Sequence, residues 1–294
     1  MTKPSTPSAW GIHMAKFWLQ AGQSLPVDVK LLAPEATRHG FDAPIGLIKE
    51  HEIDGIDGML MKRKTKNDWC IAYNPTVASR GRINFTLGHE LGHYLLHRGK
   101  QDTFRCGQGE MLDYDSAASK KLEAEANQFS SYLLMPIPDF KAQIAGHRVT
   151  LDLIGHCANR YDTSFTATAL KWIEFTEEAA IVVVARDGFI CWSYPTQSAR
   201  RHRIYFSAGT EVPQESQERI ATLLGASNYT TRVAPGVWHS SMEAEESAIL
   251  SDQFDMTIFL IRFPGANLIE HEEEAEEDSF SVLSAREQGY NWPK

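Results

Sequence analysis

The chain has 294 residues, of which 43% are hydrophobic and 23% charged, with a formal net charge of −9, as in an ordinary soluble protein. No apolar run approaches the ~20 residues of a membrane-spanning helix, and the polar N-terminus lacks the apolar segment of a secretory signal. The four cysteines form no CxxC pair. We therefore expect a cytoplasmic protein with reduced thiols and no membrane association.

The negative charge is concentrated at the C-terminal end. Residues 265–294 contain eight acidic residues against one arginine and one lysine, so this run carries −6 of the net −9. We expect it to be a disordered acidic tail. A chain this acidic also lacks the basic surface that generic nucleic-acid binding needs, so direct nucleic-acid binding is not expected.

The first elements are predicted to be helices with turns, over residues 1–50. A β-hairpin follows, because Gly58–Lys64 and Trp69–Asn74 alternate apolar and polar residues and are separated by a polar turn. Pro75 ends the second strand, since proline cannot donate to a sheet.

Two strong helices are predicted next. The first runs from an N-cap at Thr86 to about His97. Residues 100–119 have no periodicity and are expected to form a loop. The second helix covers Lys120–Met135 and is ended by two prolines.

The remaining pattern changes from helices to strands. Two short helices within residues 141–175 resemble a helix-turn-helix, but the second offers Lys171 as its only cation, whereas phosphate contacts need several. Residues 176–264 predict a small α+β module. Its predicted elements are strands at Ala180–Ala185, Phe189–Tyr194, Arg203–Ser207, Ala248–Asp252 and Met256–Phe263, and a helix at Gln214–Leu224.

The most informative segment is His89-Glu90-Leu91-Gly92-His93, which matches the pattern H-E-x-x-H. Residues four apart lie on one face of a helix, so the two imidazoles can bind one zinc ion while Glu90 acts as general base. Gly88 and Gly92 lie inside the same helix. Because glycine costs ~1 kcal/mol in a helix interior, they indicate tight packing at this point.

A catalytic zinc ion needs a third protein ligand. His97 lies on the same face but ~12 Å along the helix axis from His89, too far for one ion to reach both. The metzincin pattern requires glycine at 96 and histidine at 99, where this chain has Leu96 and Gly99. A carboxylate from the second helix is therefore the remaining candidate.

That helix offers Glu123 and Glu125. Its buried stripe is predicted to include Ala126 and Phe129, and Glu123 lies three residues before Ala126, on the margin of that stripe. Asn127 follows Glu123 by four residues and could support the ligands from the same face. Helical spacing favours Glu123 as the third ligand, and Glu125 stays open as the alternative.

Two segments resemble the ImmA/IrrE family of zinc metallopeptidases. Residues 82–97 follow its pattern R-x-x-F-T-x-x-H-E-x-G-H, and residues 123–136 follow E-x-x-A-N-x-F-A-x-x-L-L-x-P. Ser130 stands where the family usually has alanine. The resemblance covers about residues 40–140 and weakens beyond to architecture.

The resemblance implies an α+β protein with a zincin-like peptidase domain (1–140), a helix-turn-helix-like segment (141–175) and a C-terminal, sensor-like α+β domain (176–264). It implies a Zn²⁺-dependent endopeptidase with ligands His89, His93 and Glu123 and base Glu90. The expected partner is a protein substrate, a helix-turn-helix repressor or another regulator. The alternative is a regulatory interaction protein that no longer cleaves and acts through its C-terminal domain.

Overall fold

The computed structural model describes residues 4–52, 55–76, 80–107, 117–222, 228–251 and 256–268. Within these ranges the chain is a mixed α+β protein with nine α-helices and two sheets, as predicted for the fold class. The helices are α1 Pro7–Gln20, α2 Val29–Arg38, α3 Arg80–His97, α4 Ala117–Leu134, α5 Ile137–Ile144, α6 Leu151–Tyr161, α7 Phe165–Phe175, α8 Gln197–Arg201 and α9 Gln214–Ala221. The strands are β1 Ile45–Glu50, β2 Gly58–Arg63, β3 Asp68–Tyr73, β4 Thr103–Cys106, β5 Ala180–Arg186, β6 Phe189–Pro195, β7 Asn228–Val233, β8 Ala244–Ser251 and β9 Met256–Arg262.

The first sheet has the strand order β1-β3-β2-β4. Strands β2 and β3 form the predicted antiparallel hairpin, β1 runs parallel to β3, and β4 pairs antiparallel with β2. Strand β4 is therefore an edge strand. Helix α3 lies close against β2, because a Cβ added to Gly58 would be 2.4 Å from Thr86 Cγ2 and 2.8 Å from Glu90 Oε1.

Helices α3 and α4 pack closely because α3 carries two glycines on the facing side. A Cβ on Gly88 would be 2.5 Å from Ser130 Oγ, and one on Gly92 would be 2.9 Å from Phe129 Cδ1. The tight packing predicted from these glycines is thus observed. Ser130 is accommodated because its hydroxyl donates a hydrogen bond to the carbonyl oxygen of Phe85, at 3.0 Å.

The second sheet is fully antiparallel, with the order β6-β5-β9-β8-β7. Strand β5 is apolar from Ala180 to Ala185, as expected for a strand with both faces covered. Val182 and Leu260 belong to a core shared with α6 and α7, whereas Val183 and Phe259 pack with Trp238 on the opposite face. The helical pair is therefore packed against this sheet.

Three of the observed strands were not predicted from the sequence. Strand β1 lies in the region predicted as helices with turns, β4 in the predicted loop 100–119, and β7 in a stretch given no element. All three are edge strands. The position of such a strand depends on the partner strand with which it pairs rather than on a long periodic pattern in its own sequence.

Two predicted features are wrong. Thr86 is not an N-cap, because α3 begins at Arg80 and Thr86 is buried inside it against Gly58. Residues 203–207 form no strand: Arg203 adopts a positive φ of 59° in the turn after α8, and the described structure assigns residues 204–207 to no helix or strand.

Three expectations stand outside what the structure tests. Most of the predicted acidic tail, from residue 269 onward, lies outside the described residues. The domain limits, and the zincin-like and helix-turn-helix-like descriptions, stay predictions.

Of the helices that the structure describes, none combines the length and the apolar character that crossing a membrane demands.

Candidate metal centre

The two histidines of the H-E-x-x-H segment lie on one face of α3, as their spacing predicts. Their Nε2 atoms are 2.9 Å apart, and both residues are buried. The rings meet edge to face, with centroids 4.5 Å apart, so both nitrogen atoms point into one small volume.

The other nitrogen of each ring is held by a neighbour. His89 Nδ1 donates to Asn127 Oδ1 on α4 at 2.8 Å. His93 Nδ1 lies 3.0 Å from His97 Nδ1, and His97 Nε2 lies 2.8 Å from Glu125 Oε2. Since a carboxylate only accepts, His97 donates through Nε2 and accepts at Nδ1, so the proton of His93 is on Nδ1. Such partners are the usual means of fixing a metal-binding tautomer.

Glu123 completes the cluster from α4. Its Oε2 is 3.1 Å from His89 Nε2, and its Oε1 is 3.3 Å from His93 Nε2. Burial raises the pKa of Glu123, but hydrogen bonds and charge from the two histidines outweigh burial and lower it to about 2. This carboxyl group is therefore ionised at neutral pH.

The histidines respond differently to the same surroundings. Burial lowers the pKa of His93 to about 4, which leaves that imidazole neutral. For His89, burial is outweighed by the hydrogen bond to Glu123 and by the negative charges of Glu90 and Glu123, so its pKa is raised. The site therefore favours a positive charge at the point where His89, His93 and Glu123 meet.

Glu125, the other carboxylate considered from the sequence, faces away from this point. It binds His97, whose pKa is lowered by burial, and lies 3.9 Å from Lys121 Nζ on its own helix. The hydrogen bonds from His93 to His97 and from His97 to Glu125 thus fix the orientation of the His93 ring through its Nδ1 atom. His97, which its distance along the helix excluded as a ligand, is thus a neighbour of His93.

Glu90 is the least satisfied polar group in the described part of the chain. Its side chain is fully buried, and neither carboxylate oxygen has a hydrogen-bond partner among the described residues. Burial raises its pKa to about 7, against the opposing effects of His89 and of the neighbouring Cys106 thiol. A buried carboxyl group without partners is costly, and such groups concentrate at functional sites.

A fourth donor at the site was not anticipated from the sequence. Cys106, the last residue of β4, places its Sγ with the donor atoms of His89, His93 and Glu123, all within 4.8 Å of one another. The sequence carried a faint signal: Phe104 and Cys106 alternate with polar residues, as in a strand.

The region that carries this site matches a known family. Residues 50–172 match the sequence profile of peptidase family M78, described as the IrrE N-terminal-like domain. Residues 50–172 belong to the ImmA/IrrE family of metallopeptidases. The resemblance read from the two sequence blocks is confirmed. The comparison with curated proteins found no match.

The fold has a likeness among solved structures. It is similar to that of a Mycobacterium tuberculosis transcriptional regulator, with a TM-score of 0.54 and 11% sequence identity. The similarity covers 88% of this chain and 77% of that chain, so it extends well beyond the ImmA/IrrE region. At this identity it concerns the fold alone.

The donor set suits the metal ion that a metallopeptidase needs. Zinc bonds of about 2.0–2.2 Å with tetrahedral angles separate nitrogen and oxygen donors by about 3.3–3.6 Å. The distances of 2.9, 3.1 and 3.3 Å among the Nε2 and Oε atoms are close to that range. Two imidazoles and one carboxylate are also the ligands found in several zinc peptidases.

Proposed function

We propose that this protein is a zinc-dependent endopeptidase that cleaves a specific protein, with a transcriptional repressor or regulator as substrate. The observation that carries the proposal is the convergence of His89, His93 and Glu123 beside the buried, unpartnered carboxyl group of Glu90. The family of residues 50–172 supports the same reaction.

In this proposal His89 and His93 hold the metal through Nε2 and Glu123 holds it through its carboxylate. Zinc, when bound, supplies a Lewis acid that polarises a carbonyl group and acidifies water. The remaining contribution comes from the chain. Asn127 and the His97–Glu125 pair keep the two imidazoles in the tautomer that leaves Nε2 bare.

Glu90 is the proposed general base. A base with a pKa near 7 is ionised in a substantial fraction of molecules at neutral pH and still gives its proton back readily. Its carboxylate would remove a proton from the attacking water and then deliver that proton to the leaving amine. Its buried position keeps bulk water from competing for the same proton.

The substrate class rests on the family resemblance and on the exposed edge of the first sheet. Strand β4 pairs only with β2 among the described strands, so an extended peptide could add to its other side next to the cluster. The Mycobacterium tuberculosis protein of similar fold is named a transcriptional regulator, which agrees with a regulatory role.

The test uses the full chain, and the first substrate to try is any helix-turn-helix repressor that an adjacent gene encodes. Purified protein should contain one zinc per chain and cut the repressor at a discrete peptide bond, identified by mass spectrometry of the fragments. Glu90→Gln should keep the zinc and lose the cleavage. Zinc-free wild-type protein after purification without chelator would contradict the enzyme and favour the regulatory interaction protein.

A further inference from the structure

Cys106 is the donor in the cluster that the proposed reaction does not use. It lies two residues after Phe104 on β4, so both side chains are on the same face of that strand. Phe104 stacks on His93, with ring centroids 4.6 Å apart and an interplanar angle of 21°. The thiol is therefore directed toward the two histidines by the strand itself.

The backbone holds Cys106 at this place. It is opposite Gly58 in the β2–β4 register, and its carbonyl oxygen accepts a hydrogen bond from the Asp57 N–H at 2.8 Å. Asp57 is in turn bound by Arg82 of α3, with Nη2–Oδ2 at 2.5 Å. The end of β4 is thus anchored to the helix that carries the histidines, independently of any bound ion.

Glu90 provides a second, independent observation. Its buried carboxyl group lies close enough to the Cys106 thiol for the two groups to interact, but neither of its oxygens has a hydrogen bond of normal length and angle to any group in the described part of the protein. An unpartnered buried carboxyl group aimed into a space lined by four metal-binding side chains indicates that a ligand belongs in that space.

We infer that Cys106 is a fourth ligand of the metal ion, so that the metal centre rests in a closed, four-ligand state. This inference depends on the metal site of the proposed function. Coordination breaks the S–H bond, forms a sulfur–metal bond and releases one proton, for which the Glu90 carboxylate is the adjacent acceptor. Zinc sites with four protein ligands are closed, whereas catalytic sites keep one position for water. Cys106 must therefore leave the metal before cleavage can begin.

Cobalt(II) provides the test, because it replaces zinc and has an optical spectrum. Cobalt added to metal-free full-length protein should produce the visible d–d bands of a tetrahedral site and a near-ultraviolet thiolate-to-cobalt charge-transfer band. Cys106→Ser should keep the visible bands and lose the charge-transfer band, and its zinc affinity should fall by about 10–100-fold. The exposed Cys191 gives the matched control, since Cys191→Ser should retain both features.

The outcomes separate the two proposals. Visible bands without a charge-transfer band in the wild type would overturn the Cys106 ligand and leave the enzyme proposal intact. A charge-transfer band that persists in Cys106→Ser would also overturn it. Failure of the wild type to bind cobalt or zinc would overturn the metal site itself and this inference with it. If Cys106→Ser does not fold, X-ray absorption of the wild-type zinc protein decides: one sulfur ligand supports the inference and none refutes it.

Discussion

Glu90 and Glu246 are both fully buried carboxyl groups, but their surroundings are opposite. Glu246, on β8, accepts hydrogen bonds from Ser216, Tyr229, Trp238 and Arg219. Glu90 has no hydrogen-bond partner among the described residues, although it lies in the middle of a packed helix. The fold can therefore supply hydrogen-bond donors to a buried carboxyl group, as it does for Glu246. The lack of partners at Glu90 is therefore a property of the site.

The comparison assigns the two carboxyl groups different roles. Glu246 joins α9 to β7 and β8 and supports the second sheet, since two donors from α9, one from β7 and that of Trp238 meet on it. Glu90 leaves its oxygens available to a molecule that the chain does not supply. Replacing each residue should consequently damage a different property of the protein, stability in one case and reaction rate in the other.

The largest effect is expected at Glu90. Glu90→Gln keeps the shape of the side chain but removes the base, so peptide cleavage should fall by roughly 10²–10⁴-fold. Zinc content should stay at one per chain and the unfolding transition should not move to lower temperature, because the amide fills the same space and Glu90 has no hydrogen bond of normal geometry to lose among the described residues. Cleavage at the wild-type rate would show that another group removes the proton from water.

Glu246→Ala should act on stability instead. It leaves the donors of Ser216, Tyr229 and Trp238 without an acceptor, which should lower the free energy of unfolding by about 3 kcal/mol or more. Denaturant unfolding followed by tryptophan fluorescence would measure the loss. Glu246→Gln retains one carbonyl oxygen and should lose less. A fall in zinc affinity without a fall in stability would contradict the structural role.

Glu123 and Glu125 provide a matched pair on α4. Glu123→Gln removes a proposed ligand and should abolish stable zinc binding, whereas Glu125→Gln disturbs only the partner of His97 and should weaken zinc binding by about 10-fold. Competition with a colorimetric chelator would compare the two. Equal losses, or a larger loss for Glu125→Gln, would exchange the roles that we propose for them.

The sequence made much of this site predictable because the relevant information is local. His89, Glu90 and His93 occupy one turn of a helix, and the stripe on α4 favoured Glu123 by spacing alone. The structure brings Glu123 next to both histidines and Glu125 next to His97. The ligand assignment itself stays a prediction until metal binding is measured.

The features that could not be predicted from the sequence depend on contacts between segments far apart in the chain. Strand β4 is four residues long, and its position follows from pairing with β2, some forty-five residues earlier in the chain. Cys106 consequently carried no spacing signal relative to His89. Thr86 was misread for a related reason: it has the chemistry of an N-cap, but α3 begins at Arg80 and Thr86 packs against Gly58 from inside that helix. Register between strands and close approach of backbones cannot be read from local periodicity.

Lys171 is intermediate between Glu90 and Glu246 in how well its buried charge is partnered. The smallest effect is expected at this residue. Its fully buried ammonium group has one carboxylate partner, Glu174, at 3.1 Å, and lies over the ring of Tyr132. Burial outweighs the attraction of Glu174 and lowers the pKa of Lys171 from 10.5 to about 8. The unfolded chain therefore holds this proton more tightly than the folded one.

The sign of the resulting pH dependence follows from that difference. Between pH 8 and 10.5 the unfolded state binds more protons, so the contribution of Lys171 to stability rises with pH across this window. Lys171→Met removes the contribution: relative to the wild type it should be more stable by about 1–3 kcal/mol below pH 8, and the advantage should shrink toward pH 10.5. Denaturant unfolding of both proteins at matched pH isolates this residue, since the tyrosines titrate in both. A difference that does not change with pH would mean that Tyr132 and Glu174 stabilise the charged ammonium group fully, which would place Lys171 with Glu246 rather than between the two extremes.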